Sequence, residues 1–81
     1  MQPRYLDAGE SALVVEFGQN VDPALNDRVL ALDTALAQAQ LPGLRELVPT
    51  YRSLMVHYDP LRLPRAVLIE TIEACLQAAT G

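Results

Sequence analysis

The sequence predicts an α+β domain of two layers with the element order ββαββα. One four-stranded, mainly antiparallel sheet would carry both helices on one face. Three observations support this fold class. Residues 12–17 place large apolar side chains at every second position, as in a strand with one buried face. Residues 47–60 are typical of a β-hairpin, with proline near both ends. Apolar residues recur at helical spacing after Pro23 and again after Pro64.

The first hairpin is predicted from a polar break between two apolar segments. Arg4–Leu6 form a short first strand, Asp7–Ser11 contain the turn, and Ala12–Phe17 form the second strand. The alternation in the second strand assigns Leu13, Val15 and Phe17 to one face and Val14 and Glu16 to the other.

The first helix has a clear beginning and end in the sequence. Asp22 is a suitable N-cap, and Pro23 fits the first helical position, where an N–H is not needed. Pro42–Gly43 are expected to stop the helix. Its predicted core face consists of Leu25, Val29, Leu32 and Leu36.

The second half of the chain repeats the hairpin and helix. Leu44–Thr50 are predicted as the third strand, and Pro49 places this strand at an edge or beside a bulge. Leu54–Tyr58 form the fourth strand. The apolar stripe predicted for the last helix contains Leu68, Ile69, Ile72, Cys75, Leu76 and Ala79.

With both helices on one face, the other face of the sheet is uncovered. Val14, Met55 and His57 alternate with the predicted core residues of their strands, so their side chains line this face. Because the face is only partly polar, we expect a partner domain or another protein chain to cover it.

Length, charge and cysteine content narrow the class of protein. Eighty-one residues with 51% hydrophobic composition make one globular domain, residues 1–81. Six arginines, no lysine and a net charge of −4 disfavour nucleic acid as a partner. No apolar run is long enough for a membrane span. Cys75 is the single cysteine, which rules out an internal disulfide and indicates a cytoplasmic protein.

The polar side chains do not form a catalytic set. His57 is the only histidine, Ser53 is expected across a turn from it, and no carboxylate is aligned with either. Asp7, Glu10 and Glu16 of the first hairpin are interpreted as solvated charges. We therefore predict no catalytic residue and no metal site.

The hairpin of residues 47–60 supplies the candidate contact residues. Arg52 lies in the predicted turn, where it either holds a carboxylate or phosphate or serves solubility alone, and both interpretations stay open. The candidates for contact with a partner or ligand are Thr50, Tyr51, Arg52, Ser53 and His57, although Tyr51 could equally be an anchor in the core.

Two segments resemble a known family. Residues 6–18 and 42–60, with the core Pro-Thr-Tyr-Arg-Ser-Leu at 49–54, are similar to the allophanate hydrolase subunit 1 family. Asn26 and Val29 extend the resemblance into the first helix. This family includes one of the subunits of the bacterial ATP-dependent 5-oxoprolinase and the Kip-type inhibitors of the sporulation histidine kinase. Its members usually continue into a C-terminal cyclophilin-like barrel, so the resemblance implies that this chain is the N-terminal domain of a longer parent.

The resemblance implies a role in a larger assembly. The first hypothesis is a non-catalytic domain in a subunit of a multi-subunit, ATP-dependent amide or lactam hydrolase. It would act in subunit assembly, and ATP would be used by the complex while this chain binds no cofactor. The alternative is a regulatory domain that binds a sensor histidine kinase, and a small-ligand domain is a third option. The expected partners are the other hydrolase subunits or the kinase, and a homo-oligomer remains open.

Overall fold

The computed structural model describes residues 3–18 and 22–80, with side chains as far as residue 78. Within these ranges the element order is ββαββα, as predicted. The elements are β1 (Arg4–Asp7), β2 (Ala12–Glu16), α1 (Pro23–Ala39), β3 (Leu44–Pro49), β4 (Ser53–Tyr58) and α2 (Arg65–Thr80).

The four strands form one sheet in the order β1-β2-β4-β3. All three neighbouring pairs are antiparallel, so the sheet is fully rather than mainly antiparallel. The central strands β2 and β4 place Leu13 opposite Val56 and Val15 opposite Leu54. The alternation seen in the sequence therefore sends the odd-numbered residues of β2 and the even-numbered residues of β4 into the core.

Strand β3 lies at an edge, as its proline predicted. Pro49 is the last residue of the strand, where its missing N–H does not interrupt the ladder. The register between β3 and β4 shifts between Leu44 and Glu46, which leaves Arg45 out of the pairing.

Helix α1 begins as predicted and ends slightly earlier than expected. Asp22 is extended, and its Oδ1 accepts a hydrogen bond from the N–H of Ala24 at 3.0 Å. Gln40 adopts the left-handed conformation with φ 51° and ends the helix before Pro42 and Gly43. A left-handed residue at this position turns the chain away from the helix axis, and Pro42, two residues later, prevents the helix from continuing, as predicted.

The core lies between the sheet and both helices, which pack on the same face. Alternate residues of β2 and β4 meet the predicted stripe of α1 and the Leu68 and Ile72 side chains of α2. Ala79, the last residue of the predicted α2 stripe, lies outside the residues whose side chains are described. The buried core residues are Leu13, Val15, Phe17, Leu25, Val29, Leu32, Leu36, Leu54, Val56, Tyr58, Leu63, Leu68 and Ile72.

Candidate functional site

The turn between β3 and β4, here the 50–53 turn, is closed by its own hydroxyl groups. Thr50 Oγ1 accepts a hydrogen bond from the N–H of Ser53 at 3.0 Å, and it lies 2.6 Å from Ser53 Oγ. The N–H of Thr50 donates to the carbonyl of Ser53 at 2.8 Å. Two of the predicted contact residues thus build the turn, and two of its N–H groups are already used within it.

The 50–53 turn is also held from outside. The carbonyl of Arg52 accepts a hydrogen bond from the N–H of Phe17 at 2.9 Å, just after β2. Asn26 of α1 donates its Nδ2 to the carbonyl of Thr50 at 3.4 Å. The guanidinium of Arg28 lies 5.3 Å from the centre of the Phe17 ring, a cation–π contact that braces the same end of the sheet.

The tip of this turn presents Tyr51 and Arg52 to solvent. Tyr51 is 49% exposed, and Arg52 is also exposed. Tyrosine and arginine are enriched among the residues that dominate protein interfaces. A rigid turn lowers the entropy lost when such side chains bind, so the tip is suited to contact a partner.

His57 does not join this group. It lies half-buried near the end of β4, opposite Ala12 of β2 and Glu46 of β3. Ser53 is the first residue of β4, on the same face and about 13 Å away at about 3.3 Å per residue. The expectation that a turn separates Ser53 from His57 was wrong, because the turn closes at Ser53. At this distance no serine–histidine pair can form.

The uncovered side of the sheet, here the open face, carries a continuous apolar row. The register places Leu6 opposite Val14, Val14 opposite Met55, and Met55 opposite Val48. These four residues, one from each strand, form the apolar row. Leu6 and Val48, on the edge strands, are 37% and 39% exposed. Val14 and Met55, on the central strands, are half-buried.

Polar side chains flank the apolar row on both sides. Glu16 and Ser53 follow it on one side, with Arg4 Nη1 3.5 Å from Glu16 Oε1. That carboxylate oxygen is buried and has no hydrogen-bond partner among the described residues. His57 and Glu46 lie on the other side. The open face is therefore an apolar strip between polar margins, an arrangement typical of an interface.

The carboxylates of the first hairpin do not form an acid–base pair. Asp7 points to the helix side, where its Oδ1 accepts a hydrogen bond from Arg65 Nε at 2.8 Å. Glu16 lies on the open face with Arg4, and Glu10 is exposed. Two carboxylates on opposite faces of a sheet cannot share one substrate atom.

Burial affects two further groups that could carry chemistry. Burial raises the pKa of the Cys75 thiol, so less of the reactive thiolate is present at neutral pH. Burial, followed by the negative charge of Glu73, raises the pKa of Tyr5. Both shifts favour the neutral, unreactive form of the side chain.

The described ranges hold neither a metal-binding group nor a membrane-spanning helix. In residues 3–18 and 22–80, no three histidine, cysteine, aspartate or glutamate side chains are grouped as a metal site requires. Among the same residues, neither helix has the length and apolar character that a membrane crossing needs.

Comparison with families and known proteins gives consistent matches. The model of the carboxyltransferase domain, subdomain C and D, matches residues 3–81. A curated subunit of the 5-oxoprolinase of Bacillus subtilis is 33% identical over 51 residues. This match covers 63% of the chain but only 21% of the length of that relative.

Two solved structures are similar in fold and in sequence. The conserved uncharacterized protein PH0987 from Pyrococcus horikoshii matches with a TM-score of 0.82 and 33% identity, over 93% of this chain and 35% of that one. The N-terminal domain of the histidine kinase inhibitor KipI from Bacillus subtilis matches with a TM-score of 0.66 and 27% identity, over 96% of this chain and 85% of that one. The family relationship predicted from the motifs is confirmed.

Proposed function

The chain belongs to the family of the carboxyltransferase domain, subdomain C and D, and we propose that it is a non-catalytic assembly domain of a hydrolase subunit. The hydrolase would be a multi-subunit, ATP-dependent enzyme for amides or lactams, of the 5-oxoprolinase type. The similarity to the 5-oxoprolinase subunit of Bacillus subtilis supports this choice. In this proposal the complex works in the cytoplasm and uses ATP, while this domain contributes binding surface.

The observation that carries the proposal is the construction of the 50–53 turn. Its hydroxyls are engaged in closing the turn, while Tyr51 and Arg52, whose residue types are enriched in interfaces, are exposed. A nucleophilic serine would need a base within hydrogen-bond reach, and His57 is too far along β4. The turn is therefore better suited to binding than to catalysis.

Reconstitution tests the proposal. The protein is mixed with the other 5-oxoprolinase subunits of its host, with 5-oxoproline and ATP, and the glutamate formed is measured. We expect ATP-dependent formation of glutamate that is lost when this protein is omitted. Equal formation of glutamate without this protein, or none with it, would contradict the proposal.

The tip of the turn is tested by binding. Tyr51→Ala and Arg52→Ala are each expected to weaken association with the partner subunits by about tenfold or more, as for residues at the centre of an interface. Titration calorimetry measures this change. Arg62→Ala is the matched control, because Arg62 is exposed in the loop at the opposite end of β4. If all three variants bind like the wild type, the tip has no part in assembly.

A second candidate function is regulation of a histidine kinase. The match to the KipI domain supports it, because that match spans nearly the whole of both domains. If the chain acts in this way, adding it to a sporulation-type histidine kinase should lower the rate of autophosphorylation from labelled ATP. An unchanged rate at saturating protein would exclude this function.

A further inference from the structure

The apolar row of the open face is symmetric about the centre of the sheet. The strand order is symmetric about the line between β2 and β4. Each central strand has its own hairpin partner beside it at the edge, β1 next to β2 and β3 next to β4. All neighbouring strands are antiparallel. Each strand has one apolar residue at the same level, so the row is apolar along its whole length from β1 to β3.

This symmetry makes the open face complementary to itself. If a second copy is turned by 180° about an axis parallel to the central strands, β2 of one copy lies over β4 of the other. Val14 then meets Met55 of the second copy, and Leu6 meets its Val48. Two sheets packed in this way keep their strands roughly aligned, at about −30° and about 10 Å apart. Each contact occurs twice, as a two-fold interface requires.

The charged margins also fit this arrangement. Glu16 is at the level of Ser53, so the carboxylate of one copy faces a hydroxyl side chain of the other. Glu46 is at the level of His57 and Ala12, and it faces Ala8 of the second copy across the sheets. No two like charges of these margins are brought together, so the arrangement avoids the repulsion that would oppose it.

The size of the open face sets the strength of the association. Four strands about 4.8 Å apart and five residues of about 3.4 Å give a footprint of roughly 320 Å² per copy. A stable complex buries about 800 Å² per partner. The association is therefore weak and reversible. Each copy also carries a net charge of −4, so salt should strengthen the association by screening the repulsion.

We propose that two copies of this chain associate through their open faces, with the apolar rows packed against each other. This inference goes beyond the proposed function, because it concerns a different surface from the tip of the 50–53 turn. This contact removes from water the four apolar side chains that the helices leave uncovered.

Sedimentation equilibrium of the 81-residue chain, from micromolar to millimolar concentration, tests the proposal. We expect a monomer–dimer equilibrium that shifts toward dimer when the salt concentration is raised. Amide NMR signals should move with concentration in β1–β4 on the open face and not in the outer residues of α1. A chain that stays monomeric throughout, or shifts confined to the helices, would overturn the proposal and leave a different protein as the occupant.

Two variants keep the proposal testable even if one of them fails to fold. Met55→Gln and Val48→Thr each make the row polar with little change in volume, on a central and an edge strand. Each is expected to weaken dimerisation by about tenfold or more, the loss typical of a central interface contact. Leu61→Gln is the control, because Leu61 is 93% exposed in the loop after β4. Equal weakening by the control would also overturn the proposal.

Discussion

Leu54→Ala is expected to lower the free energy of unfolding by about 2–5 kcal/mol, as for other leucines truncated in a core. Leu54 is fully buried in the central strand β4, opposite Val15 of β2 and Pro49 of β3. The surrounding sheet cannot collapse into the space because both neighbouring strands are held by backbone hydrogen bonds. Unfolding in urea, followed by circular dichroism, measures the loss.

The loss is large relative to the total stability. A domain of this length has about 4–12 kcal/mol in all, at about 0.05–0.15 kcal/mol per residue. Leu61→Ala is the matched control, because the same atoms are removed from a side chain that is 93% exposed. We expect that variant to change stability by about 0.5 kcal/mol or less. Similar losses for the two leucines would show that the core is not packed as described.

Gly43→Ala is expected to be the second most damaging substitution, with a loss of about 2–5 kcal/mol from backbone strain and overpacking together. Gly43 has φ +93°, and an added Cβ would lie 2.8 Å from Leu63 Cβ and 3.1 Å from Leu63 N. The carbonyl of Gly43 also accepts a hydrogen bond from the N–H of Asp59 at 2.7 Å. The backbone of Gly43 is thus held closely against the loop between β4 and α2, which leaves no room for an added Cβ.

Gly9→Ala separates the contribution of backbone strain from that of overpacking. Gly9 has a similar φ of +85°, but no atom lies within 4 Å of the position of an added Cβ. This variant should lose only the cost of the left-handed backbone, about 1–2 kcal/mol. Thermal unfolding of the two variants side by side measures the contact contribution as the difference. Equal losses of stability in the two variants would mean that the loop containing Leu63 moves aside without a loss of free energy.

Much of the fold could be predicted because its signals are local. The N-cap at Asp22, the edge position of β3 from Pro49 and the stripe of α1 each depend on residues within a few positions of one another. The end of α1 was predicted less well. Gln40 adopts a left-handed conformation, and this conformation cannot be predicted from the residue type because glutamine has no preference for it.

The candidate site was predicted only in part. Tyr51 and Arg52 are exposed, which settles that Tyr51 is not a core anchor, and whether they bind a partner stays a prediction. The sequence grouped Thr50 and Ser53 with them, although their hydroxyls close the turn. It also missed the support from α1, where the polarity of Asn26 was the one available signal. That contact joins residues 24 positions apart, and such pairings have no local pattern.

By itself the sequence determined the element order, the buried side of the two central strands and the family, since these follow from short-range periodicity and local motifs. The tertiary structure alone decided that Leu6, Val14, Met55 and Val48 align in one row, and that His57 lies apart from the 50–53 turn. Strand register sets both facts. Register follows from packing between distant segments, and a shift of one residue would turn every side chain to the other face.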